Sequence, residues 1–239
     1  MGWPQWTWLA MMAIGLLIAA HEHGKARTGR QSFWTSAIAA AIHVALLLAG
    51  GFFAQAAQAQ VPPEAHRYRL TLVREAQRAW GLDAPIAALA AQVHQESGWR
   101  PEAVSRVGAR GMAQFMPATA TWWCAREGIS SADCQPHNPT WALRALVGYD
   151  LHLYQRAPAR MGRYDRLWLA LRGYNGGEGH WQAEGRTTGL AAPTRQQIDA
   201  ACGKARRAPV HCAENLGYPR RILVTLQPRY AAWGPVWNP

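Results

Sequence analysis

Several motifs that identify common catalytic sites are missing from this sequence. There is no His-Glu-x-x-His pair for zinc, and His94-Gln95-Glu96, which matches half of a zinc deaminase signature, has no Pro-Cys-x-x-Cys to complete it. The segment Gly176-Gly177-Glu178-Gly179 lacks the Lys-Ser/Thr of a phosphate-binding loop, and no Gly-x-Ser-x-Gly indicates a serine hydrolase. We therefore expect neither a metal nor a cofactor, and we interpret the nine histidines as surface or packing residues.

Acidic residues are scarce. The chain has 14 Asp and Glu against 25 Lys and Arg, which gives a formal net charge of +11. Residues 1–60 contribute one acid and three bases, so residues 61–239 hold 13 acids and 22 bases, almost all of them arginine. Such a charge can attract nucleic acid, but no recognition helix, zinc finger or RNA-stacking signature accompanies it. We expect no nucleic-acid partner, because attraction to an anionic cell envelope explains the charge as well.

Charges are rarest at the N-terminus, where two apolar segments have the length that a bilayer core requires. Trp3 to Ala20 is an 18-residue stretch without charge, and Trp34 to Phe53 is a 20-residue stretch with three polar residues. The basic loop between them, His21 to Ser32, is cytoplasmic by the positive-inside rule, which places everything after residue 56 on the outer face. The pattern predicts two transmembrane helices within residues 1–60 and a separate domain at residues 61–239.

A secretory signal peptide is the alternative for the second apolar segment. It would combine a basic n-region and an apolar core with a cleavage site near Ala59, before Gln60. The 20-residue core exceeds the usual h-region, and a preceding apolar segment is unusual for a cleaved signal. Both interpretations export residues 61–239 to the periplasm, either tethered to the inner membrane or released after cleavage.

Only four cysteines are present, and all of them lie in the exported part. They form two local pairs of identical spacing, Cys124 with Cys134 and Cys202 with Cys212. In an oxidising compartment, the number and spacing of these cysteines favour disulfides within the two pairs over the two other connectivities. Because each disulfide would close a short loop, we expect each to add about 2–3 kcal/mol to the free energy of unfolding.

No strand pattern competes with the helical periodicity of residues 61–239, so the predicted fold class is mainly α. An irregular arm that closes over a cleft is predicted at residues 98–112, which contain three glycines, and residues 178–213 are interpreted as an insertion. Helices are predicted at Leu70 to Trp80, Ile86 to Glu96, Pro117 to Arg126, Pro139 to Arg156 after an Asn138 cap, Tyr164 to Tyr174 and Glu214 to Gln227, with a short one at Thr194 to Cys202.

Glu96 stands at the end of one of these helices. An apolar helical face runs from Ile86 to Val93 and into Glu96, and Gly98 then ends the helix. The negative pole of the helix dipole and desolvation by nearby apolar residues both favour the protonated carboxyl. A raised pKa suits a general acid at neutral pH.

The residues around Glu96 form an extended motif. Glu96-Ser-Gly-Trp-x-Pro followed by Ser105-x-Val-Gly-Ala-x-Gly-Met-x-Gln-x-Met-Pro-x-Thr-Ala closely resembles the soluble-type (family 1) lytic transglycosylases. The segment from Gly173 to Gly177 is similar to the Ala-Tyr-Asn-x-Gly segment of that family, and Glu214-x-x-x-Tyr218 is similar to its last motif. The three blocks stand in the family's order.

The resemblance implies a lysozyme-like helical catalytic domain that cleaves the β-1,4 bond between MurNAc and GlcNAc in peptidoglycan glycan strands. In that family one glutamate, here Glu96, protonates the glycosidic oxygen and then deprotonates the MurNAc 6-hydroxyl, which forms 1,6-anhydro-MurNAc. Tyr174 would hydrogen-bond near Glu96. The positions that would contact or shape the glycan site are Ser105, Gln114, Met116, Tyr174, Asn175, Tyr218 and Ser97.

Two alternatives stay open. A hydrolytic muramidase requires a second carboxylate, for which Glu102 and Glu214 are candidates. After Glu214, Asn215-Leu216 replaces the Thr-Arg of the family, so no role is transferred to Glu214. The other alternative is a non-catalytic protein that binds glycan or lyses membranes.

The tryptophans divide into two predicted groups. Trp99 and Trp181 are expected to line a sugar cleft, and only Trp99 falls within a matched motif. The expected core tryptophans are Trp122, Trp123, Trp141 and Trp168.

Overall fold

The central element of the fold is a helix that is buried on every side. The computed structural model describes residues 61–239. In the helix Ile86–Ser97, every residue from Ile86 to Val93 is buried, whereas His94, Gln95 and Glu96 are partly exposed. A helix that is buried all round must be enclosed by other elements, and its last turn is the part that reaches a surface.

The described residues form eight α-helices joined by turns and short irregular segments. Their bounds are α1 Arg69–Trp80, α2 Ile86–Ser97, α3 Pro117–Arg126, α4 Pro139–Arg156, α5 Arg163–Gly176, α6 Glu178–Thr187, α7 Arg195–Ala200 and α8 Cys212–Arg220. Shorter 3₁₀ turns span Pro63–Tyr68, Pro209–His211 and Gln227–Trp233, and a π-helical turn spans Arg221–Leu226. Residues 61–239 contain no β-strand, only isolated bridges in the segment between α2 and α3. The mainly α prediction is confirmed for this part of the chain.

One large hydrophobic core surrounds α2. Helix α1 packs on α4, α4 packs on α5, and α8 packs on α5. The π-helical turn and the last 3₁₀ turn lie directly against α2. Helices α3 and α4 have the predicted bounds, and the Asn138 side chain caps α4 by accepting from the N–H groups of Thr140 and Trp141.

The segment after α5 was predicted incompletely. It contains α6, which the sequence analysis missed because Gly179 and Gly185 weaken its helical pattern. Helix α7 is the predicted short helix, with a capping box between Thr194 and Gln197. Ala157, Leu169, Trp181 and Ile198 form a second, smaller core in this region.

The C-terminal helix was also predicted with the wrong extent. Instead of one helix to Gln227, α8 ends at Arg220 and the chain widens into the π-helical turn. Pro219 lies inside α8, where its missing N–H leaves the Asn215 carbonyl without its helical partner.

The connection between α2 and α3, residues 98–116, forms the predicted irregular structure and is called the arm below. Gly98, Trp99, Gly111 and Gln114 all have left-handed backbone angles, with φ of 61°, 69°, 74° and 50°. A Cβ on Gly111 would lie 1.8 Å from the carbonyl oxygen of Pro136, so this position requires glycine.

Both predicted disulfides are confirmed. Cys124 on α3 is bonded to Cys134, and Cys202 is bonded to Cys212 at the start of α8. The first bridge closes the loop after α3, and the second ties the segment after α7 to α8.

The prediction for the N-terminus concerns residues outside the described part. Between residues 61 and 239, no helix has both the length and the apolarity to cross a bilayer. The two predicted transmembrane helices and the Ala59 cleavage site lie within residues 1–60, which the structure does not describe.

Candidate active site

Glu96 lines a cavity of about 460 Å³. The left-handed Gly98 ends α2 by donating its N–H to the His94 carbonyl at 2.9 Å, which leaves Glu96 in the final turn. The arm provides one wall, and α4, α5 and α8 provide the others. The cavity is lined by Glu96, Ser105, Val107, Ala109, Gln114, Phe115, Met116, Thr119, Tyr149, Gly173, Tyr174, Asn175, Gly177 and Glu214.

Tyr218 holds the Glu96 carboxyl from α8. Its hydroxyl donates a hydrogen bond to Glu96 Oε1 across 122 residues of sequence. Within residues 61–239, Glu96 has no ion pair with an arginine, lysine or histidine. The pKa of Glu96 is raised to about 7, because the effect of burial exceeds the opposing effect of the hydrogen bond from Tyr218. The group is therefore protonated in a large fraction of molecules at neutral pH, as a general acid requires.

A second carboxyl, close enough for its pKa to be affected by the charge of Glu96, was missed by the sequence analysis. Asp150 on α4 is fully buried, and Gln92 Nε2 donates to its Oδ1 at 3.3 Å. Asp150 Oδ2 and Gln92 Oε1 have no hydrogen-bond partner among residues 61–239. Burial raises the pKa of Asp150 well above its usual value, and the charge of Glu96 adds to the rise. Its position on the buried face of α4, in line with Leu146 and Leu153, was the available signal.

Five of the predicted site residues line the cavity together with Glu96: Ser105, Gln114, Met116, Tyr174 and Asn175. The Tyr174 hydroxyl donates to the Ala113 carbonyl at 2.6 Å, and so it holds the arm, not Glu96. The Gln114 side-chain amide donates to the carbonyls of Ala103 and Gly111. Met116 is 42% exposed, which leaves its thioether available to a ligand. These contacts make the arm a preformed wall of the cavity.

Ser97 is buried and does not line the cavity. Its hydroxyl donates to the Met112 carbonyl at 2.8 Å and accepts from the Arg100 N–H, which ties the arm to the end of α2. Of the two candidate second carboxylates, Glu214 lines the cavity. Glu102 lies outside it, is 86% exposed and pairs with His137.

The expectations for the tryptophans were partly wrong. Trp99 is fully buried and donates its indole N–H to the Tyr230 hydroxyl at 2.8 Å, so it does not line the cleft. Trp181 belongs to the second core, and Trp122, expected in the core, is 46% exposed. Trp123, Trp141 and Trp168 are buried as predicted. Local sequence did not reveal that Trp99 has its partner 131 residues away.

The group of metal-ligating side chains found in residues 61–239 does not form a metal site. It consists of Glu184, Cys202 and Cys212, and the two sulfurs are bonded to each other. No thiolate is left to bind a metal there.

The match to a known family covers the catalytic cavity. Residues 71–195, slightly more than half of the chain, match the family described as "Transglycosylase SLT domain". The chain belongs to this family. The matched range includes Glu96, the arm, Tyr174 and Asn175, whereas Glu214 and Tyr218 lie beyond it.

Curated relatives of this SLT-family chain include two proteins named membrane-bound lytic murein transglycosylase F. The relative from Alteromonas mediterranea is 37% identical over 92 residues, and the one from Maricaulis maris is 40% identical over 92 residues. Each alignment covers 38% of this chain and only 18% of the relative. The similarity is therefore confined to a small part of these longer proteins.

A solved structure shares the fold. The structure described as the complex of the 70-kDa soluble lytic transglycosylase with bulgecin A aligns with a TM-score of 0.53 and 22% identity. The alignment covers 82% of this chain and 29% of the other one. At this identity the likeness concerns the fold alone.

Proposed function

We propose that this chain is a peptidoglycan lytic transglycosylase that cleaves the β-1,4 bond between MurNAc and GlcNAc and forms 1,6-anhydro-MurNAc. The observation that carries the proposal is Glu96, a carboxyl with a pKa of about 7 that lines a cavity of about 460 Å³. Membership of the SLT family supports the same chemistry.

In the proposed reaction, Glu96 serves as an acid and then as a base. Protonated Glu96 gives its proton to the glycosidic oxygen as the bond from that oxygen to C1 of MurNAc breaks. The resulting carboxylate then takes the proton of the MurNAc 6-hydroxyl while O6 bonds to C1. The proton count on Glu96 is restored, and no water is consumed. Proximity favours this intramolecular capture over attack by solvent.

The surrounding residues have positioning roles in this proposal. Tyr218 donates to Glu96 Oε1, which leaves Oε2 as the oxygen that carries the transferred proton. Ser105, Gln114, Met116 and Asn175 contact the glycan from the walls of the cavity. Ser97 and Tyr174 act indirectly, since both hydrogen-bond to backbone carbonyls of the arm.

The proposed location is the periplasmic side of the inner membrane. The two apolar segments within residues 1–60 support a tether, and the related proteins named above are described as membrane-bound. The net positive charge of residues 61–239 favours association with an anionic envelope. A reporter that requires an exported compartment is expected to be active when it is fused after Gln60. N-terminal sequencing that finds a mature chain beginning at Gln60 would contradict the tether.

Hydrolysis is the second candidate function because Glu214 lines the same cavity as Glu96. A hydrolytic enzyme uses a second carboxylate to activate water or to form a covalent intermediate. The two reactions use the same fold and differ in whether water enters the product.

Product mass distinguishes these functions. Digestion of purified peptidoglycan by the full-length chain is expected to release muropeptides about 18 Da lighter than hydrolytic products, because O6 replaces water at C1. Mass spectrometry in ¹⁸O-labelled water checks this. Reducing MurNAc ends that carry solvent oxygen would establish hydrolysis, and bound glycan with no released product would indicate a binding protein.

A further inference from the structure

Asn175, a glycan contact in the proposed function, receives a hydrogen bond from a buried side chain on α8. This residue is Asn215, which is 1% exposed and whose Nδ2 donates to Asn175 Oδ1 at 3.0 Å. Asn215 is one of the two positions at which the last motif departs from the family, and it lies beyond residue 195, where the family match ends. Its contact with Asn175 is therefore included neither in the motif nor in the family match.

The amide of Asn215 has a single orientation, because Arg172 on α5 contacts both of its ends. Arg172 Nε donates to Asn215 Oδ1 at 2.9 Å, and Asn215 Nδ2 donates to the Arg172 carbonyl oxygen at 2.9 Å. A guanidinium cannot accept a hydrogen bond and a carbonyl cannot donate one. If the Asn215 amide were rotated by 180°, donor would face donor and acceptor would face acceptor. At a buried site the cost of these unsatisfied groups excludes the rotated form.

The orientation of Asn215 determines that of Asn175. Because Asn215 Nδ2 is a donor, the Asn175 atom that faces it must be the acceptor oxygen. The amide nitrogen of Asn175 is then the end that is left for a ligand. This nitrogen forms no hydrogen bond within residues 61–239 and retains accessible surface, and Asn175 lines the catalytic cavity. Asn175 therefore offers the cavity a hydrogen-bond donor and not an acceptor.

Gly176 makes room for these contacts. A Cβ at this position would lie 2.7 Å from Asn215 Nδ2, which is too close for unbonded atoms. The glycine thus lets the Asn215 amide approach the last turn of α5, which carries Asn175. Arg172, Asn215 and Asn175 form a continuous series of hydrogen bonds from the buried interior to the wall of the cavity.

We propose that Asn215 is a positioning residue, which fixes Asn175 as a hydrogen-bond donor to an acceptor oxygen of the glycan. This inference rests on the proposed function. An amide that rotates freely presents its oxygen to the ligand part of the time, whereas an amide held by Asn215 presents only its nitrogen. Binding then does not have to restrict the rotation of the Asn175 amide, which favours affinity. Asn215 acts on the glycan only through Asn175.

Asn215→Asp tests the proposed role with almost no change in side-chain shape. An aspartate keeps an acceptor for Arg172 Nε but has no donor for Asn175, whose amide must rotate to donate to it. The oxygen of Asn175 then faces the glycan, and one neutral hydrogen bond is lost. With the full-length chain and soluble glycan strands, we expect KM to rise roughly three- to tenfold and kcat to remain unchanged. An unchanged KM would overturn the inference.

A double-mutant cycle separates positioning from a general role in the fold. Asn175→Ala leaves no amide to orient, so the addition of Asn215→Asp is expected to cause no further rise in KM. An equal rise in both backgrounds would mean that Asn215 acts on the fold and not through Asn175, which would overturn the inference. The matched control is Asn138→Asp, the same change at the exposed cap of α4, where a carboxylate also caps and KM is expected to stay at the wild-type value.

NMR spectroscopy tests the orientation without any reaction. In the wild-type full-length chain, we expect the side-chain amide protons of Asn215 to exchange slowly with solvent and those of Asn175 to exchange rapidly, since only Asn215 is buried. The two signals are assigned by their loss in Asn215→Asp and in Asn175→Ala. The opposite order of exchange would overturn the inference, and this measurement does not require Asn215→Asp to fold.

Direct binding separates failure of this inference from failure of the proposed function. Calorimetry compares the affinity of full-length Glu96→Gln for a soluble glycan strand with and without Asn215→Asp. We expect Kd to rise roughly three- to tenfold when Asn215→Asp is added. An equal Kd overturns the inference even if the wild type cleaves glycan, and the expected rise supports it even if the wild type forms no anhydro product, in which case only the proposed reaction fails.

Discussion

Glu96 in the cavity and Glu184 in the segment after α5 are carboxyl groups with opposite surroundings. Glu184 is fully buried between two arginines, with Oε2 2.5 Å from Arg172 Nη2 and Oε1 3.1 Å from Arg207 Nε. Glu96 has no such cation among residues 61–239, where its side-chain hydrogen bond comes from the neutral hydroxyl of Tyr218. The first arrangement stabilises a charge in the interior, whereas the second disfavours it and makes a proton donor.

Glu75 shows that neighbouring cations, and not burial alone, determine the direction in which the pKa of a buried glutamate shifts. It is 3% exposed beneath the contact between α1 and α4, where burial alone would raise its pKa. Arg144 and Arg78, each with Nε 3.2 Å from Glu75 Oε2, instead hold the pKa below its usual value. The absence of an arginine partner within residues 61–239 therefore distinguishes Glu96 from Glu75 and Glu184.

The largest expected effect comes from removing the proton of Glu96. Glu96→Gln keeps the shape of the side chain but neither gives nor takes a proton, so we expect glycan cleavage to fall by at least about 10²- to 10⁴-fold. Muropeptide release measures the loss. The control is Glu102→Gln, an exposed position outside the cavity, and comparable losses in both variants would remove Glu96 from the proposed role.

Breaking the ion pairs of Glu184 is expected to lower the stability of the protein and to leave the chemistry of glycan cleavage unchanged. Arg172 is fully buried and donates to Glu184, Asp199 and Asn215, so Arg172→Met leaves charges without their partner. We expect the free energy of unfolding to fall by about 3–5 kcal/mol. Denaturant melts check this, with Arg186→Ala, at an exposed position in the last turn of α6, as the control. A loss below about 1 kcal/mol would mean that Arg207 and Arg195 alone stabilise the carboxylates of Glu184 and Asp199.

Glu96 has no arginine partner within residues 61–239, so replacing it is expected to stabilise the protein at high pH, where its carboxyl is ionised. The pKa of Glu96 is about 7 in the folded protein and near 4.5 without the fold, so the folded state binds its proton more tightly. The free energy of unfolding therefore falls as the pH rises from about 4.5 to about 7, and the loss is complete above that range. We expect the free energy of unfolding of Glu96→Gln to exceed that of the wild type by about 3 kcal/mol at pH 8 but not at pH 4, measured by melts at both pH values. Equal stability at pH 8 would contradict this.

The smallest effect concerns the hydrogen bond from Tyr218. This bond favours the carboxylate, so Tyr218→Phe is expected to raise the pKa of Glu96 further. The alkaline limb of kcat/KM against pH then moves upward by the same amount, because Glu96 stays protonated to higher pH. Tyr174→Phe is the control, since its hydroxyl donates to the Ala113 carbonyl. A downward shift in Tyr218→Phe would contradict the assigned hydrogen bond.

Local features of this protein were predictable from the amino-acid sequence. The bounds of α3 and α4 follow from apolar periodicity, from the Asn138 cap and from Pro117 and Pro139 at the first helical positions. Both disulfides follow from the spacing of four cysteines. Glu96 at the end of α2 follows from Gly98, and the motif around it indicated the family. These signals depend on residues close together in the chain.

Tertiary structure alone decided which distant residues meet. The hydroxyl of Tyr218 reaches Glu96 from 122 positions away, and that of Tyr230 receives the Trp99 indole N–H from 131 positions away. Asp150 on α4 accepts a hydrogen bond from Gln92 on α2, 58 positions away, and Arg172 reaches Glu184 because α6 folds back on α5. Helical periodicity shows which face of a helix is apolar but does not specify the partner that covers it. The sequence predicted the direction in which the pKa of Glu96 shifts, but its value of about 7 required the assembled fold, since the extent of burial and the absence of a cation among residues 61–239 are properties of that packing.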